Sequence, residues 1–216
     1  MNAVTIERPY AGQLAHERKA ARRAALIEAG FDLLGTEGAH AMTVRAVFQK
    51  AGLSQRYFYE SFANIDELQV AVFDHVMEQF LERAFTDLPT DGDVRKTIAA
   101  FVAAFARTLD DPRSMRVALV EAWGSEALMR RRVETLHSGA AVLAAAVKGG
   151  ADNAPTDGSV ELAAFTIVGG LLESMLAWVD GALDTPKETL FAQFIDISVA
   201  TMNATLGSAT HSAREA

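Results

Sequence analysis

The sequence predicts an all-α protein of about nine helices, and three observations carry that expectation. Apolar residues recur at helical spacing through nearly all of the 216 residues. No stretch alternates apolar and polar side chains as a half-buried strand does. The pattern breaks only at short turn-forming clusters, such as Leu88-Pro89-Thr90-Asp91-Gly92 and Asp110-Asp111-Pro112.

Residues 1–17 show no sustained periodicity and contain Pro9 and Gly12, which predicts a flexible arm. A helix follows from residue 18 to about Gly35, with Leu26, Ile27, Gly30, Phe31 and Leu34 on its apolar face. Arg18, Lys19, Arg22 and Arg23 crowd its first turns. Cations there oppose the helix macrodipole, and an anionic partner would remove the conflict. A solvated basic face is the alternative.

The stretch Thr43 to Phe62 predicts two short helices joined by a tight turn. Val44, Val47, Phe48 and Ala51 fall on one face of the first. Thr43 is placed to cap it, and Gly52 supplies the backbone freedom to end it. Ser54 is the expected cap of the second, with Leu53 and Phe58 as a hydrophobic staple. If Phe58 and Phe62 turn inward, Gln55, Arg56, Tyr57 and Tyr59 point outward. This is a helix-turn-helix signature.

Asn64 then opens a long helix, with Glu67 completing a capping-box-like pair and Leu68, Val72, Phe73, Val76, Phe80 and Leu81 along one side. Further helical stripes run from Val94 to Leu109, from Pro112 through Met115, Leu119, Val120 and Trp123, and from Leu128 to Val147. Gly149 to Ser159 reads as the strongest linker. Two last helices, about 160–181 and 187–206, precede a tail at 207–216 expected to fray. The predicted organisation is an arm (1–17), a helix-turn-helix domain (18–64), a larger helical domain (65–206) and the tail.

Composition narrows the function. The net charge is −8, but it is segregated. Residues 1–60 hold eight Lys/Arg against six Asp/Glu, a net of +2, and the rest hold twelve against twenty-two, a net of −10. Binding through phosphates needs a local basic face rather than a basic protein. The chain has no cysteine, which excludes disulfides and thiolate chemistry and fits a reducing cytoplasm. The first residues lack the apolar core of a signal peptide. The apolar run Leu162 to Val179 is interrupted by Glu173 and two glycines, as in a buried helix rather than a membrane span. No nucleophile elbow, phosphate-binding loop or His-Glu-x-x-His is present, and the histidines are scattered. No enzyme activity, metal or cofactor is expected.

In Arg22 to Leu68 the chain resembles the tetracycline-repressor (TetR) family of bacterial one-component regulators. The resemblance rests on RRAALIEAGFDLLGTEG and on Thr43-Val44-Arg45, Ala51-Gly52-Leu53-Ser54 and Tyr59-Glu60-Ser61-Phe62. The chain departs from the family pattern at Arg56 and Tyr57, where Gly then Thr or Ser is common. It also departs at Ser61 in place of His and at Ile65 in place of a phosphate-contacting Lys. The resemblance implies a ligand-responsive transcriptional regulator, by default a repressor. It also implies a homodimer whose recognition helices enter successive major grooves of double-stranded DNA at a palindromic operator, about 34–36 Å apart. By the same implication Arg45, Gln55, Arg56 and Tyr57 approach base edges, while Thr43, Lys50, Ser54 and Tyr59 position the protein on phosphates. A helix cap or a solvated helix face is the alternative for each.

The family's larger domain binds a small molecule among its middle helices and dimerises through its last two. Phe101, Phe105, Met115, Trp123, Phe165, Met175 and Trp178 form an apolar set that would serve either as plain core or as the lining of a pocket for a largely apolar effector. Glu121, His137 and Glu173 are polar groups near them, with surface exposure or an internal hydrogen bond as the alternative. The helix from Asn64 joins both domains and is the natural lever between them. The competing reading is a helical ligand- or protein-binding adaptor without DNA binding.

Overall fold

The structure, a computed structural model, describes the backbone of residues 11–89, 91–151 and 154–215, and side-chain surroundings within 16–207. Nine α-helices run through the described residues: α1 Ala11–Thr36, α2 Val44–Lys50, α3 Gln55–Tyr59, α4 Ile65–Thr86, α5 Val94–Thr108, α6 Pro112–Met115, α7 Glu126–Gly150, α8 Ser159–Val179 and α9 Lys187–Glu215. Among the described residues there is no strand.

The ends of the chain differ from expectation. α1 begins at Ala11, so residues 11–17 of the predicted arm are helical, and residues 1–10 lie outside the described residues. Gly12 is outweighed there by Ala, Gln, Leu, Glu, Arg and Lys, all good helix formers. α9 likewise carries on to Glu215 through most of the predicted tail, because Gly207 alone is a weak breaker.

α4 is the spine. Asn64 Oδ1 accepts from Glu67 N at 2.9 Å, and Glu67 reaches back to the Ala63 amide at 2.6 Å, one residue before the cap. The near end of α4 packs on α1 and its remainder on α5 and α7. A single apolar core passes from Leu26, Val47, Phe58 and Phe62 through Leu68, Val72 and Phe73 to Leu143, Leu171 and Met175. α7 and α8 form the most extensive helix pair, and α9 closes on α5 and α8.

The segment after α6 is not the regular helix its periodicity suggests. A π-helical turn, Arg116–Val120, is followed by a 3₁₀ turn, Glu121–Trp123. A π turn takes in an extra residue and advances the helix face. That displacement turns Val120 and Trp123 outward, 42% and 45% exposed, although α-periodicity places them inward. It also brings residues five apart together, so that Arg116 Nε lies 2.8 Å from Glu121 Oε1.

Candidate nucleic-acid interface and apolar cavity

The helix-turn-helix is held by backbone geometry that its sequence specifies. Thr43 Oγ1 accepts from Ala46 N at 3.2 Å, capping α2. α2 ends in a Schellman motif, with Gly52 at φ +66, Leu53 N donating to Phe48 O at 2.9 Å and Gly52 N to Gln49 O at 3.1 Å. The left-handed φ at Gly52 is what turns the chain into α3. Phe58 and Phe62 are 0% and 1% exposed, with ring centroids 5.9 Å apart. Replacing Thr43 by Ala should cost about 1 kcal/mol of stability. Urea unfolding checks this, and an unchanged midpoint would refute the cap.

One expected cap is absent. Ser54 has the extended backbone of an N-cap, but its hydroxyl makes no capping bond. Its carbonyl instead accepts from Tyr57 N at 3.0 Å, which leaves the hydroxyl available to a partner.

Thr43, Arg45, Lys50, Ser54, Gln55, Arg56, Tyr57 and Tyr59 are all exposed, as are Arg18, Lys19 and Arg23; Arg22 is half-buried. Several are already engaged. Arg22 stacks over the Tyr57 ring at 4.5 Å and lies 3.8 Å from Glu60, tying α1 to α3. Arg23 covers Phe62 at 4.8 Å. Lys50 pairs with Asp32 at 3.3 Å, and Arg56 Nε with Glu60 Oε1 at 2.8 Å, although the Arg56 side chain is 84% exposed. Glu60 and Asp32 orient this basic surface. The helix-turn-helix pattern marks neither, although the i, i+4 spacing of Arg56 and Glu60 is a readable signal.

In the larger part of the chain an apolar cavity lies between α4, α5, α7 and α8. Phe73, Met77, Phe80, Phe101, Phe105 and Leu171 supply most of its wall. Its enclosed space is about 30 Å³, room for little more than a water-sized molecule. Phe80 meets Phe101 and Phe105 edge-on, at 5.0 and 5.6 Å. Arg132 and Thr135 are its polar lining residues, and Arg132 pairs with Glu173 at 2.6 Å while stacking over Trp123 at 4.4 Å.

The expected apolar set does not gather around this cavity. Of the candidates only Phe101 and Phe105 line it. Met115 is half-buried on α6, and Trp123 is turned out by the π turn. His137 and Phe165 face each other on the exposed side of α7 and α8, at 5.3 Å. Met175 is fully buried in the core, and Trp178 donates to Thr185 O at 3.0 Å at the end of α8. Glu121 is buried elsewhere, accepting from Ala39 N at 3.1 Å and pairing with Arg116. Of the α4 residues that do form the wall, Phe73 and Phe80 are visible in the sequence as part of a core stripe, with nothing to mark them as lining, and Met77 lies outside that stripe.

Glu121 belongs to a polar junction between the two parts of the chain. Arg116 donates to Thr36 O at 3.0 Å, and Arg113 pairs with both Asp32 and Asp111 while covering the Phe31 ring at 4.6 Å. Burial raises the Asp32 pKa, but hydrogen bonds from Arg113 and Lys50 outweigh it and hold the carboxyl below its ordinary range.

A chain that displays a helix-turn-helix at one end and encloses an apolar cavity at the other has the layout of a two-part helix-turn-helix regulator. Residues 26–72 match the model for bacterial regulatory proteins of the tetR family. Among solved structures it is similar to the fatty acid degradation regulator FadR from Bacillus halodurans. The TM-score is 0.67 at 19% identity, covering 82% of this chain and 94% of that one. FadR from Bacillus subtilis in complex with stearoyl-CoA gives 0.67 at 19%, covering 82% and 98%. A putative TetR-family regulator from Rhodococcus sp. gives 0.68 at 17%, covering 85% and 99%. At these identities the likeness is one of fold.

Proposed function

We propose that the protein is a ligand-responsive, sequence-specific transcriptional regulator, a repressor that leaves a palindromic operator when a largely apolar small molecule enters its cavity. The observation that carries this reading is the exposed row Thr43, Arg45, Ser54, Gln55, Arg56 and Tyr57, presented by a helix-turn-helix held by the Thr43 cap, the Gly52 turn and buried Phe58. The adaptor alternative is not favoured, since it gives that row no task. α4 begins beside α3 and forms a wall of the cavity. An effector larger than the narrow cavity that displaces Phe73, Met77 or Phe80, all on α4, would bias the placement of the DNA-binding helices. The stearoyl-CoA bound by the Bacillus subtilis regulator supports an effector with an apolar chain.

Dimerisation is part of the proposal. α8 is long and apolar enough to cross a membrane by length and composition, with a mean hydropathy of 1.8, yet it packs within the bundle against α7 and α9. Its outer face still carries Leu162 and Phe165, 68% and 41% exposed, and α9 carries Ile197 at 66%. A second copy would cover these side chains.

Selection of bound sequences from random DNA tests the whole reading, and failure to enrich any palindrome would remove it. On the enriched site, Arg56→Ala should weaken binding by about 1–2 kcal/mol. This is the lower part of the range for a base-reading Arg, because Glu60 competes for the guanidinium. A gel shift at fixed salt reads the effect, and unchanged affinity would take Arg56 out of the interface.

A further inference from the structure

We infer that the polar cleft where α1, α4, α5 and α6 meet binds a small oxyanion, a phosphate or a compact carboxylate. The cleft holds about 250 Å³ and shares no lining residue with the apolar cavity. It is a second site, of opposite chemical character to the first.

Three guanidinium groups line it, and they are not equivalent. Arg113 is taken up by Asp111 and Asp32, and Arg107 by Asp87. Arg83 is half-buried and has no carboxylate within ion-pair distance among the described residues. Its Nη1 donates to Thr108 Oγ1 at 3.1 Å, and that hydroxyl also donates to Ala104 O at 3.1 Å. A guanidinium carries five N–H donors, so one neutral acceptor leaves most of the fork open toward the cleft. Such a fork matches the paired oxygens of a carboxylate or phosphate.

The groups beside Arg83 suit the same ligand. His75, Gln79 and Arg83 are spaced i, i+4, i+8 on one face of α4, and the His75 and Gln79 side chains are joined at 3.0 Å. Buried Ser114 lies on the opposite wall. Glu28 and Asp111 oppose an anion. Asp111 stays ionised, because the hydrogen bond from Arg113 holds its pKa below the usual carboxylate range.

The position gives binding a consequence. Glu28 and Phe31 come from α1, while the other walls come from α4, α5 and α6. An anion bound to Arg83 therefore favours one placement of α1 against the rest. Whatever it does to operator affinity, the operator does reciprocally to it.

Isothermal titration of the full chain with inorganic phosphate, and separately with malonate, against chloride of matched ionic strength tests the assignment. Saturable binding in at least one arm is expected, weakened at least tenfold by Arg83→Gln and unchanged by Arg130→Gln on the exposed face of α7. The arm that binds identifies the oxyanion. No saturable binding in either arm, or equal binding by Arg83→Gln, overturns the proposal. Should Arg83→Gln fail to fold, the His75 ring resonance of the unsubstituted chain decides. A saturable shift with phosphate or malonate supports the site, and a resonance that does not move overturns it. No operator is needed, so this result and the DNA-binding test are read independently.

Discussion

Phe58→Ala should destabilise the protein by about 3–5 kcal/mol and abolish operator binding, the largest effect expected of any single truncation in the helix-turn-helix. Phe58 is fully buried, edge-on to Tyr59 at 5.4 Å and tilted against Phe62 at 5.9 Å. α3 has only five residues, too few to be stable without that anchor. Removing the ring leaves a cavity under the recognition helix that no neighbouring backbone can close cheaply. Thermal unfolding, together with amide exchange in α2 and α3, measures the outcome. Native-like protection of α3 in the variant would show that Phe58 is not its anchor.

The second large effect is expected at Gly35→Ala, where α1 meets α6. A Cβ there would stand 2.5 Å from Arg113 Cβ and 2.9 Å from Arg113 Cα. Carbon atoms rest at about 3.5–4.0 Å, so the two helices would have to part. Backbone atoms cannot swing aside, which places the cost near 3 kcal/mol, the upper end for overpacking. The separation would pull Arg113 from Asp32 and Arg116 from Thr36, loosening the polar junction. The Ala39 amide, bonded to Glu121 at 3.1 Å, reports on that junction directly. Faster exchange at Ala39 and a lower melting temperature are expected. No change in either would mean that the junction tolerates the added methyl group.

What could be read from the sequence followed the range of the forces involved. The helix-turn-helix was legible because its determinants are local: a threonine cap, a glycine at a left-handed φ, and two phenylalanines four residues apart. The long α4 was legible from Asn64, Glu67 and an unbroken apolar stripe. The cavity was not. Its wall depends on which side of each core helix faces a neighbour, and apolar periodicity alone does not distinguish Phe80 from Met175. The π turn misled most, since its extra residue sends Trp123 to the surface and Glu121 to the domain junction. In the sequence the basic lead-in shows as charge alone, whereas in the fold Arg22 and Arg23 also lie over Tyr57 and Phe62 and hold α1 to the recognition unit.

The brevity of α3 sets how much genetic information one copy can extract. Five residues at 1.5 Å each extend about 7.5 Å, roughly two steps of stacked base pairs at 3.4 Å. Even with flanking contacts, a single subunit discriminates only a handful of letters, and so short a word recurs constantly among the ~10⁶–10⁹ competing sites of a genome. Two copies reading mirrored words multiply their improbabilities rather than add them. If the proposed dimer forms through the apolar outer face of α8 and α9, that face bears as much on where the protein settles as the side chains of α3.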